Sequence, residues 1–304
     1  MRIGLLGSGT MGQRHLTAAS LLAGVEMITR SSPPYDRIDP SDRATLIHAI
    51  LADSSIDAID ICLPTSQHVS VALAALAAGK HVLCEKPLAL NIADCSRIVD
   101  AACVSGRVLM VAHVVRFFPA YRHLAEMIRS RELGSVQRAR FTRSSATPAW
   151  AAWLTDSEQS GGAILDLLVH DFDQVVALFG MPSHIAAEPL ESSNTVRCNL
   201  DCGGVPVDVE GGWFADDRPF SAGFDVEFAT ARLVYCDERL TLHRPGAAEE
   251  EIPLADADPY TEQLRSFVRC CMPGGELNAC TPQAAADAVA LALAVRNAVE
   301  CDPG

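Results

Sequence analysis

The stretch Arg2-Ile3-Gly4-Leu5-Leu6-Gly7-Ser8-Gly9-Thr10-Met11-Gly12 decides the fold. A short apolar run enters a turn with glycines spaced G-x-G-x-x-G, and helix-forming residues follow from Thr10 to Leu22. The motif alone is weak, because glycine-rich turns are common. A strand before it and a helix after it are the context that makes it a phosphate-binding turn. Gly7 permits the tight turn, Gly9 lets backbone approach a pyrophosphate, and Gly12 lets the helix pack closely. The first helical residues, Thr10 and Met11 among them, offer N–H groups and the positive end of the helix dipole. The competing reading is a plain strand–helix turn.

Working outward, strands and helices alternate. Strand patterns cover Val25–Thr29, Ile56–Leu63, His81–Cys84 and Val108–Ala112. Helical patterns cover Val69–Ala78, which stops at Gly79, and Ile92–Ser105. Repeated units of this length predict a doubly wound parallel sheet of the Rossmann type. After Arg116 the pattern changes. A helix is predicted at Pro119–Arg131, a strand at Val136–Ser144 and one continuous helix at Gly162–Leu178. Five strands follow with short turns, at His184–Pro189, Thr195–Cys202, Val207–Phe214, Ser221–Thr230 and Arg232–Cys236, and predict an antiparallel sheet. Helices at Tyr260–Cys271 and Pro282–Cys301 close the chain, with Thr281 as N-cap of the last. The expected division is a dinucleotide-binding domain over 1–115 and a C-terminal substrate-binding and oligomerisation domain over 116–304. A length of 304 residues suits two domains at about 100–200 residues each.

Composition narrows the partners. The net charge of -14 repels phosphate backbones and anionic membranes, so neither nucleic acid nor a membrane is expected. The apolar stretch Ala284–Val295 is too short to span a bilayer and contains Asp287. The N-terminal run lacks a cleavage pattern. The eleven cysteines are irregularly spaced without a Cys-x-x-Cys pair, and read as free thiols of a cytoplasmic protein. Cys198 and Cys202 read as ordinary strand residues, and no metal is expected.

Three further stretches carry chemistry. After the second strand the chain reads Met27-Ile28-Thr29-Arg30-Ser31-Ser32-Pro33-Pro34. The acid that binds a ribose 2′-hydroxyl in NAD sites is missing there. Arg30 and Ser31 suit a 2′-phosphate instead, which predicts NADP preference over NAD. The run Gly79-Lys80-His81-Val82-Leu83-Cys84-Glu85-Lys86-Pro87 places Lys86 just past the carboxyl end of a strand, the edge that faces ligand in an open parallel sheet. In Gly161-Gly162-Ala163-Ile164-Leu165-Asp166-Leu167-Leu168-Val169-His170-Asp171, a helix puts Asp166 and His170 on one face. An acid and an imidazole among apolar neighbours either pair with each other or line a cavity.

These stretches occur in order, together with Cys62-Leu63-Pro64-Thr65-Ser66-Gln67-His68. In combination they resemble the glucose–fructose oxidoreductase/inositol dehydrogenase/rhizopine catabolism protein family over nearly the whole chain. The resemblance implies a Rossmann domain followed by an α/β domain on an open, mostly antiparallel sheet. It implies hydride transfer between nicotinamide and a hydroxyl or carbonyl carbon of a sugar, polyol or related small molecule, in a homodimer or homotetramer. Position by position, Lys86 matches the lysine of the family's Glu-Lys-Pro motif, and Asp166 and His170 match its catalytic helix. Leu63, Pro64, Thr65, His68 and Glu85 fall in the cofactor-side loops. Met110 to Pro119 resembles the crossover that places an arginine, here Arg116, near the nicotinamide. Thr65 departs from the family, which often has asparagine there, and residues 31–51 match it poorly. His113, Arg143, Trp150 and Trp153 are candidate substrate contacts, with a core role as the alternative for each.

In this reading His170 or Lys86 takes the hydroxyl proton, and the sequence leaves the choice open. Asp166 orients the imidazole. Two rivals stand beside it, an NAD-dependent glycoside hydrolase of the same fold and a catalytically silent dinucleotide sensor.

Overall fold

The computed structural model describes residues 1–29 and 40–301. The chain forms two compact units, Met1–Phe117 with Ala257–Ala286, and Phe118–Asp256 with Asp287–Gly304.

The first unit is a five-stranded parallel sheet. Its strands are β1 (Arg2–Leu6), β2 (Glu26–Ile28), β3 (Ala58–Ile61), β4 (His81–Cys84) and β5 (Leu109–Val111), in the order β2-β1-β3-β4-β5. The helices α1 (Thr10–Ser20), α2 (Pro40–Ala52), α3 (His68–Ala77) and α4 (Ile92–Ser105) alternate with them. Residues of β1, β3 and β4 are buried almost without exception, as a sheet covered on both faces requires. Asn91 caps α4 by accepting the Asp94 N–H at 2.9 Å, and Gly106 closes it in the left-handed region. The strand order reverses between β1 and β3, so the crevice that binds ligands in open α/β sheets opens at their carboxyl ends.

The second unit begins with α5 (Pro119–Ser130) and an eight-stranded sheet. Its strands are β6 (Val136–Ala146), β7 (His184–Pro189), β8 (Thr195–Cys202), β9 (Val205–Phe214), β10 (Ser221–Phe228), β11 (Arg232–Cys236), β12 (Arg239–His243) and β13 (Glu250–Ile252). The order is β13-β12-β11-β10-β6-β9-β8-β7, antiparallel except for the parallel pair β6–β9. Four short helices, α6 (Ala152–Thr155), α7 (Ser157–Ser160), α8 (Gly162–Asp166) and α9 (Val169–Phe179), connect β6 to β7. Alternation along β8 sends Val196, Cys198, Leu200 and Cys202 into the core. The opposite side is polar: Glu210 of β9 is shared by Arg140 of β6 at 2.8 Å and Arg197 of β8 at 3.0 Å.

Two expectations change. The division near residue 115 omits a return of the chain, because α10 (Pro259–Cys271) belongs to the first unit. Its apolar face puts Leu264 and Phe267 into one core with Ile3, Ala18, Leu83 and Met110. The last helix, α11 (Pro282–Cys301), starts where expected, with Ala284 N–H on Thr281 Oγ1 at 3.2 Å. The single helix expected over Gly162–Leu178 is two helices, broken at Leu167 and Leu168. Asp166 ends α8 and His170 lies in the first turn of α9, so the four-residue spacing no longer guarantees a common face.

Candidate active site

The carboxyl edge of the parallel sheet is built row by row. Leu6, Ile61, Cys84 and Val111 stand in register across β1, β3, β4 and β5. The next residue of each strand extends the ladder. Cys62 N–H meets Leu6 O at 2.7 Å, Glu85 N–H meets Ile61 O at 2.9 Å, and Ala112 N–H meets Cys84 O at 2.8 Å. Gly7 leaves the edge from β1, Leu63 and Pro64 from β3, Lys86 from β4 and His113 from β5.

Gly7 holds a φ of 106°, and a Cβ there would fall 2.1 Å from the Cys62 carbonyl oxygen. A Cβ on Gly12 would fall 2.1 Å from the Gly7 carbonyl oxygen, so α1 seats directly on the turn. At Gly9 a Cβ would meet nothing within 4 Å. The turn is closed on the protein side and open at Gly9. Gly9 is the N-cap of α1 and no side chain occupies the cap, so the N–H groups of Thr10 and Met11 start a helix without an acid in its first turn. This is a cradle that fits a pyrophosphate.

The flanking loops are tied together. Pro64 caps a 3-10 turn over Thr65–Gln67 that leads into α3. His68 is fully buried, with Nε2 2.9 Å from Leu63 O and Nδ1 2.8 Å from Pro87 O, so one ring bridges the loops after β3 and β4. Thr65 is 1% exposed, and its Oγ1 has no hydrogen-bond partner among the described residues. The Lys86–Pro87 peptide is cis. Glu85 accepts the Lys86 N–H at 3.1 Å.

Arg116 donates to Ala279 O at 2.6 Å and ties the returning segment to the first unit. His113 is 1% exposed. Arg30 and Ser31 lie outside the described residues.

In the second unit, Asp166 and His170 are both half-buried. Asp171, next to His170, is fully buried and paired with Arg143 of β6 at 2.7 Å. Arg143 also donates to the Tyr121 hydroxyl at 3.4 Å. Of the two roles open to Arg143, the structure shows the core one: the residue is 4% exposed and its guanidinium anchors α9. The two tryptophans part company. Trp150 is 72% exposed, whereas Trp153 packs with Leu154, Ala163 and Trp213.

One cluster of buried polar side chains carries no motif in the sequence. Asp60 lies at the centre of β3 with no exposure, and His15 of α1 reaches it at 2.8 Å. On its other side His15 approaches Glu85 at 3.3 Å. The signal was available: an acid inside the apolar strand Ala58–Ile61 needs a buried partner. Cys62, His15 and Glu85 offer ligand atoms within 4.8 Å of one another. A metal suits them poorly. The two ring nitrogens face carboxylates in different directions, and burial together with Asp60 pushes the Cys62 thiol far up, away from the thiolate a metal needs.

Comparisons with known proteins match the stretch of chain that carries this cradle and the Glu-Lys-Pro segment. The model of an oxidoreductase family with an NAD-binding Rossmann fold, GFO/IDH/MocA, matches residues 1–113, and that of the GFO/IDH/MocA C-terminal domain matches residues 121–221. The chain belongs to this family. Inositol 2-dehydrogenase 1 of Saccharopolyspora erythraea is 30% identical over 93% of this chain and 89% of its own. Myo-inositol 2-dehydrogenase of Thermotoga maritima is 28% identical over 59% of this chain and 55% of its own. The chain spans about half the length of the curated relatives it first matches. Among solved structures, levoglucosan dehydrogenase in complex with NADH and levoglucosan superposes with a TM-score of 0.84 at 20% identity, covering 99% of this chain and 97% of that one. At that identity the likeness concerns the fold. Among the described residues no helix is long and apolar enough to cross a membrane.

Proposed function

We propose that this GFO/IDH/MocA protein is an NAD(P)-dependent dehydrogenase or reductase acting on a CH–OH or carbonyl carbon of a sugar, polyol or related small molecule. The observation that carries the reading is the open cradle at Gly9 on the same sheet edge as Lys86. The inositol and levoglucosan dehydrogenases and the 1,5-anhydro-D-fructose reductase among its relatives support the substrate class.

Gly7, Gly9, Gly12 and the N–H groups of Thr10 and Met11 would hold the pyrophosphate. Leu63, Pro64, Thr65, His68, Glu85 and Arg116 would shape the rest of the cofactor side, with the orphaned Thr65 hydroxyl available to it. The bound nicotinamide supplies the hydride donor or acceptor. The chain's own residues orient the substrate and move its proton. Lys86 donates a hydrogen bond to the reacting oxygen, where its ammonium stabilises growing negative charge. His170 accepts or returns the hydroxyl proton, with Asp166 orienting its ring.

NADP is proposed as the preferred cofactor, because no acid follows Ile28 before Asp36 and Arg30 stands in that interval. Affinities for NADPH and NADH in wild type and Arg30→Ala test this, and the absence of a selective loss for NADPH would refute it.

The activity itself is tested by following nicotinamide absorbance with NADP and NAD over a panel of inositols, anhydrosugars, sugars and sugar acids. Turnover that disappears in Lys86→Ala is expected. Nucleotide binding without turnover on any member would favour the silent sensor.

A further inference from the structure

Asp60 and His15 take no part in this chemistry, yet they stand directly behind it. Asp60 is enclosed in a strand whose four residues are all buried, and His15 and Glu85 are 2% and 5% exposed. His15 Nδ1 lies 2.8 Å from Asp60 Oδ2 and 3.1 Å from Oδ1. Its Nε2 lies 3.3 Å from Glu85 Oε1, and Glu85 Oε2 accepts the Lys86 N–H at 3.1 Å. A hydrogen bond from His15 to Asp60, an ion-pair contact from His15 to Glu85 and a hydrogen bond from the Lys86 N–H to Glu85 link the middle of the sheet to Lys86.

A neutral imidazole has one donor and one acceptor nitrogen, so one of the two carboxylates would face a lone pair. The doubly protonated ring donates to Asp60 and presents its other N–H as the cationic partner of Glu85 at 3.3 Å. Burial is the largest influence and opposes that charge, but Asp60 and Cys62 together reverse it, and proton affinity at His15 rises well above its ordinary value. Burial also drives the Glu85 carboxyl up, and His15 and Lys86 together reverse this and hold it low. Two carboxylates, one imidazolium and the Lys86 ammonium then balance in charge.

We infer that His15 is a positioning residue: clamped by Asp60 on one side, it fixes the Glu85 carboxylate on the other, and through it the backbone from which Lys86 leaves the sheet edge. The role rests on the reading of Lys86 as the group that meets the substrate oxygen. Of the other groups facing His15, Cys62 acts in the same direction as Asp60. Cys62 Sγ lies 3.4 Å from Nδ1 and stays a neutral thiol, because burial pushes its proton affinity up. Tyr260 of α10 stands 6.4 Å away ring to ring, and the Arg14 guanidinium lies over that phenol at 5.0 Å. Burial, the largest influence on Tyr260, keeps the phenol protonated.

The test pairs NMR of histidine-labelled protein with NMR of 13C-methylated lysines, the Lys86 signal being assigned by its loss in Lys86→Arg. Both His15 nitrogens are expected to carry protons at pH 7, with a midpoint above that of the exposed histidines. In Asp60→Asn the midpoint should fall by about one pH unit or more, a tenfold loss of proton affinity. The Lys86 signal should inflect at the His15 midpoint and move down with it. In turnover, kcat of Asp60→Asn should fall about ten- to a hundredfold while NADH Kd changes less than about twofold. Should Asp60→Asn fail to fold, Glu85→Gln removes the second carboxylate and predicts the same fall of the His15 midpoint. A bare His15 nitrogen at pH 7, or a Lys86 signal blind to His15 titration, would overturn the inference. Absence of wild-type turnover would count against the oxidoreductase reading alone, since both NMR results are independent of substrate.

Discussion

Asp171 and Arg143 close on each other at two points, Oδ2 to Nε at 2.7 Å and Oδ1 to an Nη at 3.2 Å, with both side chains withdrawn from solvent. The pair joins the first turn of α9 to β6, and so places the backbone of His170, one residue before Asp171. Tyr121, Phe224 and Tyr235 pack edge to face or tilted around it, with centroids 5.2 to 5.9 Å apart.

Arg143→Ala leaves the buried Asp171 carboxyl, which burial already holds above its ordinary range, without its partner, and should cost about 3–5 kcal/mol of stability. The double variant Arg143→Met/Asp171→Leu removes both charges and should cost far less. Urea unfolding of the three proteins measures this. A double variant as unstable as the single one would show that the pair is more than a buried anchor.

Gly9 and Gly12 separate ligand binding from folding. A methyl at Gly9 meets no protein atom, so Gly9→Ala should unfold within about 0.5 kcal/mol of wild type. It should nonetheless lose NADH affinity, read from nicotinamide fluorescence. Gly12→Ala forces α1 away from the Gly7 carbonyl and should lose both. Full NADH affinity in Gly9→Ala would count against the cradle.

Lys86→Ala and His170→Ala should each lower kcat about 10²–10⁴-fold with cofactor affinity retained. Their pH profiles assign the proton. The variant that loses a limb of the wild-type profile removes the group that titrates in it.

The His15 cluster also makes stability depend on pH. A group whose proton affinity is raised by folding stabilises fully below its unfolded midpoint, and that contribution fades as pH climbs through the folded one. For His15 the loss begins above its ordinary value of 6.5 and extends to its raised midpoint. Glu85 is lowered instead, so its contribution is present above 4.5 and fades as pH falls through the folded midpoint. Urea unfolding from pH 4 to 10 should show the cluster's stabilisation greatest between these values. Asp60→Asn should flatten the alkaline decline, and an unchanged decline would show that other groups produce it.

Local pattern carried much of the fold. Strands His81–Cys84, His184–Pro189, Thr195–Cys202 and Arg232–Cys236 and helix Ile92–Ser105 stand at the bounds read from periodicity. Their neighbours along the chain decide which side is buried. β12 and β13 went unread because they are short and polar, and form only by pairing with β11 and each other. The break after Asp166 was hidden for another reason: Ala163 to Val169 is apolar enough to suit one helix or two.

The sequence by itself determined the Gly7–Gly12 turn, the alternating units around it and the place of Lys86 after β4. Each depends on residues close together in the chain, where glycine conformation and side-chain period act directly. Only the tertiary structure decided that His15 meets Asp60, 45 positions further along the chain, that Asp171 takes Arg143 from β6, and that α10 returns to the first unit. Those contacts join residues far apart in sequence. Burial makes them strong, and burial is a property of the packed chain rather than of any segment.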